Sequence, residues 1–257
     1  MRLTPRMNKI ISYLKNNNGA SISSLSSMFS VSDMTIRRDL AYLKSINVIT
    51  TVHGAAIYNK QDKVVFDSKQ YDLLFEDNKY SEEKVKIGQM AASFIKPDDV
   101  VIIDTGTTSA QIVQNLPNDI PLTILCFSMN TLLSIYNKPN INVILTGGRY
   151  YRNTQMFQSR EGIKLIQQIR ANKAFISAAG VCKIGVTCVD PYEVDTKIAA
   201  IESSVKSILT VDSSKFNKVC PSYFSNIRNF QTIITDKNLD NEWVDYIKDL
   251  NIELFLV

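Results

Sequence analysis

The sequence predicts two domains of different architecture: a small α+β winged helix-turn-helix domain, followed by an α/β domain with a mostly parallel sheet. In the first part, apolar residues recur every three or four positions up to Ser45, and a β-branched stretch follows. From Val100 onward, short apolar runs alternate with amphipathic segments, the pattern of strand and helix in turn. Because 257 residues exceed the size of the usual single domain, we expect a first domain over 1–57, a polar connector over 58–80 and a second domain over 81–257.

Three short helices are predicted before the β-branched stretch, separated by an asparagine-rich run at 16–19 and a turn at 30–32. Each buries one face, because its apolar residues fall on one side at helical spacing. These residues are Ile10, Ile11, Leu14, Ile22, Leu25, Met28, Phe29, Ile36, Leu40 and Leu43. The stretch VITTVHGAAI then predicts a short hairpin, or wing, since β-branched residues favour strands and its glycine allows a bend.

The third predicted helix carries polar side chains away from its apolar face. In many small domains a helix in this position lies in the major groove of DNA, with its N-terminal residues close to the base edges. An arginine can donate two parallel hydrogen bonds to guanine, and a threonine can contact a base or a phosphate. The polar residues concerned are Thr35, Arg37, Arg38 and Tyr42, with Ser32 as the N-cap. Two alternatives stay open: a solvated charged face on a helical bundle, and an arginine fixed by pairing with Asp39.

Charge is unevenly distributed along the chain. The net charge is +4, yet residues 1–56 hold seven lysine and arginine side chains against two aspartates, a net charge of +5. The remaining residues hold 22 basic against 23 acidic side chains, a net charge of −1. A basic small domain beside a nearly neutral large one predicts a polyanionic partner, double-stranded DNA, for the small domain only.

Three predicted strands of the second domain end in loops that contain small hydroxyl residues, glycines or a cation. These loops are Asp104–Ser109, Thr146–Arg149 and Asp212–Phe216. Backbone N–H groups, a helix dipole and hydroxyls in such loops favour an anion, and Lys215 can pair with a phosphate or with Asp212. A single loop of this kind is more often a plain turn between strand and helix. Three at the ends of strands of one sheet predict a phosphorylated small molecule, for which a monosaccharide phosphate fits.

The segment VSDMTIRRDLAYL, followed by VHGAA, resembles the N-terminal winged helix-turn-helix of the DeoR family of bacterial transcription regulators. The family pattern V-S-x-x-T-I-R-R-D-L-x-x-L is matched without exception, whereas Ala55 replaces a glycine of the H-G-G-A that follows. Because glycine tolerates positive φ and alanine does not, this replacement bears on the conformation of the wing. The resemblance implies DNA contact, or support of it, by Thr35, Arg37, Arg38 and His53.

Landmarks similar to those of the DeoR effector domain continue through the second domain. They are IIDTGTTSAQIVQNL, VILTGGRY, SREG, KAFISAAGV with GVT, and VDSSKF. The family domain is similar in fold to phosphosugar isomerases, which implies a sugar phosphate or related effector. The implied effector residues are Asp104, Gly106, Thr107, Thr108, Gly147, Gly148, Ser159, Gly162, Asp212 and Lys215. Where the family has T-N-S, this chain has Cys126-Phe127-Ser128, which removes polar groups from the expected pocket wall and adds the bulk of Phe127.

The predicted function is that of a sequence-specific DNA-binding transcriptional regulator: a repressor of a carbohydrate-metabolism operon, controlled by a phosphorylated sugar or related metabolite. We expect a homo-oligomer, which presents paired helices to repeated half-sites. The alternative is a sugar-phosphate isomerase-like enzyme. Its acid–base chemistry could use Asp104, Glu193, Asp212 and Lys215, because His53 lies in the small domain. The helix-turn-helix favours regulation, so we expect no enzyme activity.

Several kinds of site are not expected in this chain. The four cysteines contain no C-x-x-C pair and the single histidine is distant in sequence, which argues against zinc. The cysteines are Cys126, Cys182, Cys188 and Cys220. Neither G-x-x-x-x-G-K-[ST] nor G-x-G-x-x-G occurs, so no cofactor is predicted. No apolar run approaches the ~18 residues of a membrane helix and the N-terminus is too polar for a signal peptide, so we expect no membrane partner and a cytoplasmic location.

Overall fold

The first domain contains helices and a small antiparallel sheet, as the hydrophobic periodicity predicts. The computed structural model describes residues 4–17, 19–45, 48–52, 55–58, 73 and 81–257. The helices are α1 (Pro5–Asn17), α2 (Ile22–Phe29) and α3 (Asp33–Ser45). The strands are β1 (Ala20–Ser21), β2 (Ile49–Val52) and β3 (Ala55–Tyr58), in the order β1-β3-β2.

Most of the predicted apolar positions form the core of this domain. The buried side chains are Ile10, Leu14, Ile22, Leu25, Ile36, Leu40 and Leu43, together with Ile49 and Ala56 of the hairpin. Met28 departs from the prediction, since it is 47% exposed. At about 100° per residue, two successive steps of three place Met28 about 120° around the helix from Ile22, at the edge of the buried stripe. Ser30 adopts the left-handed conformation with φ 50°, which ends α2 and makes the turn into α3.

The second domain is built on a seven-stranded parallel sheet, which confirms the predicted fold class. Its strands and the smaller ones around them are β4 (Val100–Ile103), β5 (Leu122–Cys126), β6 (Ile141–Leu145), β7 (Arg149–Tyr151), β8 (Met156–Gln158), β9 (Ala171–Ile176), β10 (Gly180–Cys182), β11 (Gly185–Cys188), β12 (Ser204–Thr210), β13 (Ser222–Ser225), β14 (Thr232–Thr235) and β15 (Glu253–Leu256). The large sheet has the order β15-β14-β12-β9-β4-β5-β6.

Helices cover both faces of this sheet. They are α4 (Ser81–Ser93), α5 (Thr107–Gln114), α6 (Met129–Ile135), α7 (Arg160–Gln167), α8 (Pro191–Glu202) and α9 (Asn241–Asp249). On β4, Val101 and Ile103 pack with α4, α5 and α6, whereas Ile102 packs with α7, α8 and α9. Burial on both faces explains why the strand is an unbroken apolar run rather than an alternating one. In the part of the chain that the structure describes, no helix is long and apolar enough to cross a membrane.

The strand order changes direction between β4 and β9. After β4, the chain adds β5 and β6 on one side; it then adds β9, β12, β14 and β15 on the other. The connections that leave β4 and β9 therefore run to opposite sides, which opens a crevice beyond their carboxyl ends. Ligands of open α/β sheets bind at such switch points.

Two small antiparallel structures were not predicted from the sequence. Strands β7 and β8 form a hairpin that follows β6. Strands β10, β11 and β13 form a separate three-stranded sheet, with a register shift between Val186 and Thr187. These strands have three or four residues each, too few for a clear alternation of apolar and polar side chains.

Helices α4 and α5 approach each other closely at Gly88. A Cβ atom added at this glycine would lie 2.5 Å from Cβ of Gln111 and 2.7 Å from its backbone carbon. Both distances are too short for non-bonded carbon atoms. The absence of a side chain at Gly88 therefore sets the position of α5, whose N-terminus faces the crevice.

Candidate functional site

The outer surface of α3 is the predicted DNA-binding surface of the first domain. Arg37 and Arg38 are exposed, and neither has a hydrogen bond or ion pair with another described residue. Ser32 caps the helix, because its hydroxyl accepts from the backbone N–H of Thr35 at 3.3 Å. The Thr35 hydroxyl lies 3.0 Å from the Ser32 hydroxyl, so both belong to the helix start. Tyr42 is half-buried against the domain core.

Asp39 holds α3 against α1. Its carboxylate accepts from the guanidinium of Arg6 at 2.5 Å (Nε to Oδ2) and 3.2 Å (Nη2 to Oδ1), and Asp39 is buried. This hydrogen bonding raises the pKa of Arg6. The arginine that pairs with Asp39 is therefore on α1, which leaves both arginines of α3 directed outward.

The predicted wing is the β2–β3 hairpin, and it is antiparallel. Ala55 pairs with Val52 and with Ser21 and is buried in β3. Its φ is not positive, so alanine is unstrained where the family has glycine. His53, the predicted contact at the tip, lies outside the described residues.

A cavity that is partly open to solvent occupies the crevice between the carboxyl ends of β4 and β9. Its walls come from the loops after these two strands and from α8 and the loop after β12. The lining residues are Leu73, Thr105, Gly106, Thr107, Thr108, Thr154, Ser177, Ala178, Ala179, Cys188, Val189, Glu193, Lys197 and Lys215. Hydroxyl groups, two lysines and one carboxylate thus line one cavity.

The N-terminus of α5 opens into this cavity. Gly106 precedes the helix with φ +131°, and an added Cβ would lie 2.9 Å from Oγ of Ser177, so only glycine fits. Gly106 provides no side-chain cap for the first turn of the helix. Thr107 and Thr108 add their hydroxyls beside the uncapped backbone N–H groups. Such a helix terminus favours an anion.

Below the helix terminus lies a buried ion pair between Lys197 and Asp104. Nζ of Lys197 donates to Oδ2 of Asp104 at 2.5 Å and to the carbonyl oxygen of Ser177 at 3.2 Å. Asp104 also accepts from both the backbone N–H and the hydroxyl of Ser177, and from the backbone N–H of Thr105. Both carboxylate oxygens therefore have partners. Burial lowers the pKa of Lys197, but Asp104 and Glu193 outweigh it and raise the pKa, so this side chain remains an ammonium.

Glu193 is the carboxylate that lines the cavity. Burial raises its pKa to about 6, although the ammonium of Lys197 lowers it. One oxygen accepts from the backbone N–H of Asp190 at 3.1 Å, and the other lies 3.7 Å from Nζ of Lys197. The side chain can thus change its charge close to neutral pH.

Only part of the residue set predicted for the effector meets in this cavity. The residues that line it are Gly106, Thr107, Thr108 and Lys215. Asp104 does not line it but pairs with Lys197, which does. Asp212 does not line it: its carboxylate accepts from the backbone N–H of Ser214 and shapes the turn that carries Lys215.

The predicted residues after β6 also lie apart from the cavity. An added Cβ at Gly148 would lie 2.4 Å from the carbonyl oxygen of Gln158, so this glycine lets the two ends of the β7–β8 hairpin meet. Ser159 caps α7 by accepting from the backbone N–H of Gly162 at 2.9 Å. Gly147 adjoins this cluster and does not line the cavity. These residues lie beside the edge strand β6, which β5 separates from β4, whereas Thr154, further along the β7–β8 hairpin, lines the cavity.

Phe127 differs from expectation as well. Its side chain is fully buried in the main hydrophobic core and does not line the cavity. Cys126 is buried on the opposite face of β5, and Ser128 donates its hydroxyl to Thr131. None of the three residues that replace the family T-N-S lines the described cavity.

Sequence reasoning missed Ser177, Lys197 and Thr154 as cavity residues. A usable signal was present for Lys197, since Glu193 and Lys197 are four residues apart and lie on one face of α8. No comparable pattern marks Ser177 or Thr154.

Leu73, which lies between the two domains in sequence, forms part of the cavity wall. It is buried, and its backbone N–H donates to the carbonyl oxygen of Asn153 at 2.8 Å. A residue between the two domains thus lines the same cavity as Thr107 and Lys215.

A helix-turn-helix with an exposed basic helix, joined to an α/β domain with a polar cavity at its switch point, defines a class of ligand-responsive DNA-binding proteins. The chain belongs to the DeoR family: the DeoR-like helix-turn-helix domain matches residues 6–62, and the DeoR C terminal sensor domain matches residues 79–237. The protein is therefore a DNA-binding transcriptional regulator.

Known proteins similar to this chain include two repressors. It is 29% identical over 257 residues to the deoxyribose operon repressor of Escherichia coli (strain K12), covering 98% of each chain. It is 32% identical over 211 residues to the lactose phosphotransferase system repressor of Staphylococcus epidermidis, covering 81% of this chain and 82% of that protein. Ribose 5-phosphate isomerase A from Methanocaldococcus jannaschii superposes with a TM-score of 0.40 at 15% identity, over 53% of this chain and 54% of that one. That likeness is too low to support an inference.

Proposed function

We propose that this regulator represses a carbohydrate-metabolism operon and that a phosphorylated sugar in the cavity controls its affinity for DNA. The observation that carries the proposal is the uncapped N-terminus of α5, which opens into a cavity lined by hydroxyls and Lys215. The two repressors to which the chain is similar, named for the deoxyribose operon and the lactose phosphotransferase system, support the sugar class. We assign DNA binding to residues 1–57, the connector to 58–80 and ligand binding to 81–257.

The effector's phosphate binds at the N-terminus of α5 in this proposal. Backbone N–H groups, the hydroxyls of Thr107 and Thr108 and the ammonium of Lys215 supply donors and positive charge. The sugar hydroxyls face Glu193 and Ser177, which offer a carboxylate and a hydroxyl. An unphosphorylated sugar lacks the anionic group and binds more weakly.

The DNA-binding half of the proposal rests on α3. Arg37 and Arg38 are exposed and directed away from the core, while Ser32 and Thr35 fix the helix start near which base contacts are made. Tyr42 supports the helix from its flank, and His53 extends contact through the wing. A homo-oligomer presents two such helices to paired half-sites.

The cavity binds its ligand without turnover in this proposal. Both oxygens of Asp104 are already hydrogen-bonded and Lys197 pairs with it, and Asp212 does not line the cavity. Glu193 is the observation that favours the second candidate, an isomerase-like enzyme, because its pKa of about 6 suits acid–base chemistry. Incubation of the full chain with aldose and ketose phosphates decides the matter: turnover that Glu193→Gln abolishes would establish the enzyme.

The effector assignment is tested by thermal unfolding with a panel of sugar phosphates and the corresponding free sugars. A phosphorylated ligand should raise the melting temperature, because it binds only the folded state. Thr107→Ala with Lys215→Ala should abolish that rise and leave DNA binding intact. Lys206→Ala, at a lysine whose ion pair is exposed, serves as the control. Equal responses in the double variant and the wild type would refute the site.

The DNA assignment is tested on a duplex selected from random sequences. Arg38→Ala should weaken binding by about 1–3 kcal/mol, the contribution of one bidentate base contact. Arg228→Ala, at an exposed arginine of the second domain, should leave binding unchanged. Unchanged affinity in Arg38→Ala at physiological salt would overturn the role of α3.

A further inference from the structure

The exposed side of α3 carries apolar as well as charged side chains. Directly opposite the buried face lies a line of exposed residues three or four positions apart, which we call the outer stripe. The outer stripe consists of Met34, Arg38, Ala41 and Ser45. Arg38 therefore lies between two apolar side chains, Met34 towards the start of the helix and Ala41 one turn further on.

Met34 is unusually exposed for its type. At 68%, it is the most exposed large apolar side chain of the described residues. It does not belong to the hydrophobic core that holds α3 in place. Its exposure thus costs hydration free energy in the free protein and contributes nothing to the fold. It lies at the second position of α3, in the turn that a recognition helix directs at the base edges.

The chemistry of the major groove limits what an apolar side chain can recognise there. Phosphates and most base edges present charges, donors and acceptors, to which a thioether or a methyl group adds little. The C5-methyl group of thymine is the apolar group in this groove, and alanine and similar side chains contact it. Met34 and Ala41 therefore fit thymine.

Spacing along the helix places the two apolar residues on either side of the base pair that Arg38 contacts. A rise of about 1.5 Å per residue separates Met34 from Arg38 by about 6 Å and Arg38 from Ala41 by about 4.5 Å. Successive base pairs are about 3.4 Å apart. Each apolar side chain thus reaches a base pair one or two steps from that of Arg38.

We propose that Met34 and Ala41 are specificity-determining residues, each contacting the methyl group of a thymine on its own side of the base pair that Arg38 contacts. This inference rests on the proposed binding of DNA through α3. Beyond that proposal, it identifies thymine as the base on each side of the arginine contact and names Met34 and Ala41 as the side chains that select it.

The test removes single methyl groups from the DNA. The full chain first selects a preferred duplex from random synthetic DNA without modified bases, and each thymine is then replaced by deoxyuridine. Affinity should fall about fourfold at one thymine on each side of the Arg38 contact, which is the fold-change for about 0.8 kcal/mol, the value of one buried methylene. Met34→Gln should abolish the loss on one side only, and Ala41→Ser on the other.

Met28→Gln is the matched control, because Met28 is also exposed but lies on α2. It should leave both methyl effects unchanged. The inference is overturned if no thymine is sensitive to deoxyuridine, or if the sensitivities persist in both Met34→Gln and Ala41→Ser. If the chain selects no duplex at all, the proposed DNA binding fails and this inference fails with it, an outcome distinct from binding without methyl sensitivity.

Discussion

At the scale of single residues, Lys197 stabilises the folded protein because its ammonium neutralises a buried carboxylate. It is 1% exposed and pairs with Asp104, which is fully buried. Removal of one partner of such a pair leaves the other charge buried and unpaired, at a cost of about 3–5 kcal/mol. We predict that Lys197→Ala lowers the free energy of unfolding by this amount, measured by urea denaturation.

The matched control is Lys206→Ala, which removes a lysine from the exposed pair with Glu253. Exposed ion pairs contribute about 0–1 kcal/mol. Equal losses in the two variants would contradict the role assigned to the buried pair.

Glu193 makes the stability of the protein dependent on pH. Its pKa rises from 4.5 to about 6 on folding, because burial disfavours the carboxylate. As the pH rises from about 3.5 to about 7, the unfolded chain loses this proton before the folded chain does, so the free energy of unfolding falls by about 2 kcal/mol in total.

The pH dependence is measured as the difference in unfolding free energy between the wild type and Glu193→Gln. We predict that this difference changes by about 2 kcal/mol, at the expense of the wild type, from about pH 3.5 to about pH 7. Parallel pH profiles of the two proteins would refute the raised pKa.

Individual site residues were predictable where local sequence determines their role. The hydroxyl and glycine loop at 104–108 follows a strand and starts a helix, so its place at the crevice follows from chain order. Ser177 and Lys197 reach the same cavity through strand β9 and helix α8, which the fold brings to the β4 loop from about 70 and 90 residues away. Contacts over such separations leave no periodic pattern in the sequence.

At the scale of elements, the position of α5 depends on its contact with α4. Helix propensity alone would favour Gly88→Ala by about 1 kcal/mol. The added Cβ, however, would lie 2.5 Å from Cβ of Gln111, and overpacking of this kind costs about 1–3 kcal/mol. We predict that Gly88→Ala displaces α5 and weakens binding of the phosphorylated ligand, measured by calorimetry.

Ser93→Ala, at the exposed end of the same helix, is the control for α4 and should bind the ligand normally. An unchanged dissociation constant in Gly88→Ala would show that α5 tolerates the methyl group.

The larger elements were predictable because each carries a strong pattern. The strands of the parallel sheet are apolar runs, and α3 has the three-to-four spacing of a half-buried helix. The β10-β11-β13 sheet was missed because its strands are short and its pairing joins residues about 35 positions apart. Because this sheet was not predicted, the part of the cavity wall that Cys188 and Val189 form was not predicted either.

At the scale of the whole molecule, Leu73 links the cavity to the connector. It is buried in the cavity wall and is held by a backbone hydrogen bond to Asn153. We predict that Leu73→Ala still binds the phosphorylated ligand but responds to it with a smaller change in DNA affinity, because the connector loses its contact with the occupied cavity. Thermal unfolding measures the binding of the ligand. DNA titration with and without ligand measures the change in DNA affinity.

Leu133→Ala is the comparison, since Leu133 is 60% exposed on α6. Its response to ligand should equal that of the wild type. A full response in Leu73→Ala would mean that the cavity communicates with the DNA-binding domain by another route.

The order of domains was predictable from charge and periodicity, and the family matches over 6–62 and 79–237 agree with it. The boundaries at 57 and 80 stay predictions. The involvement of a connector residue in the cavity could not be predicted, because a polar segment with isolated apolar residues gives no indication of where those residues pack.

The contact of Leu73 with the cavity has a consequence for the operator itself. If ligand binding changes the affinity for DNA by a certain factor, thermodynamic linkage requires DNA binding to change the affinity for the ligand by the same factor. Binding to the operator would then change the affinity of the cavity for its ligand. Protein bound at its target gene would respond to a different concentration of metabolite than protein free in solution.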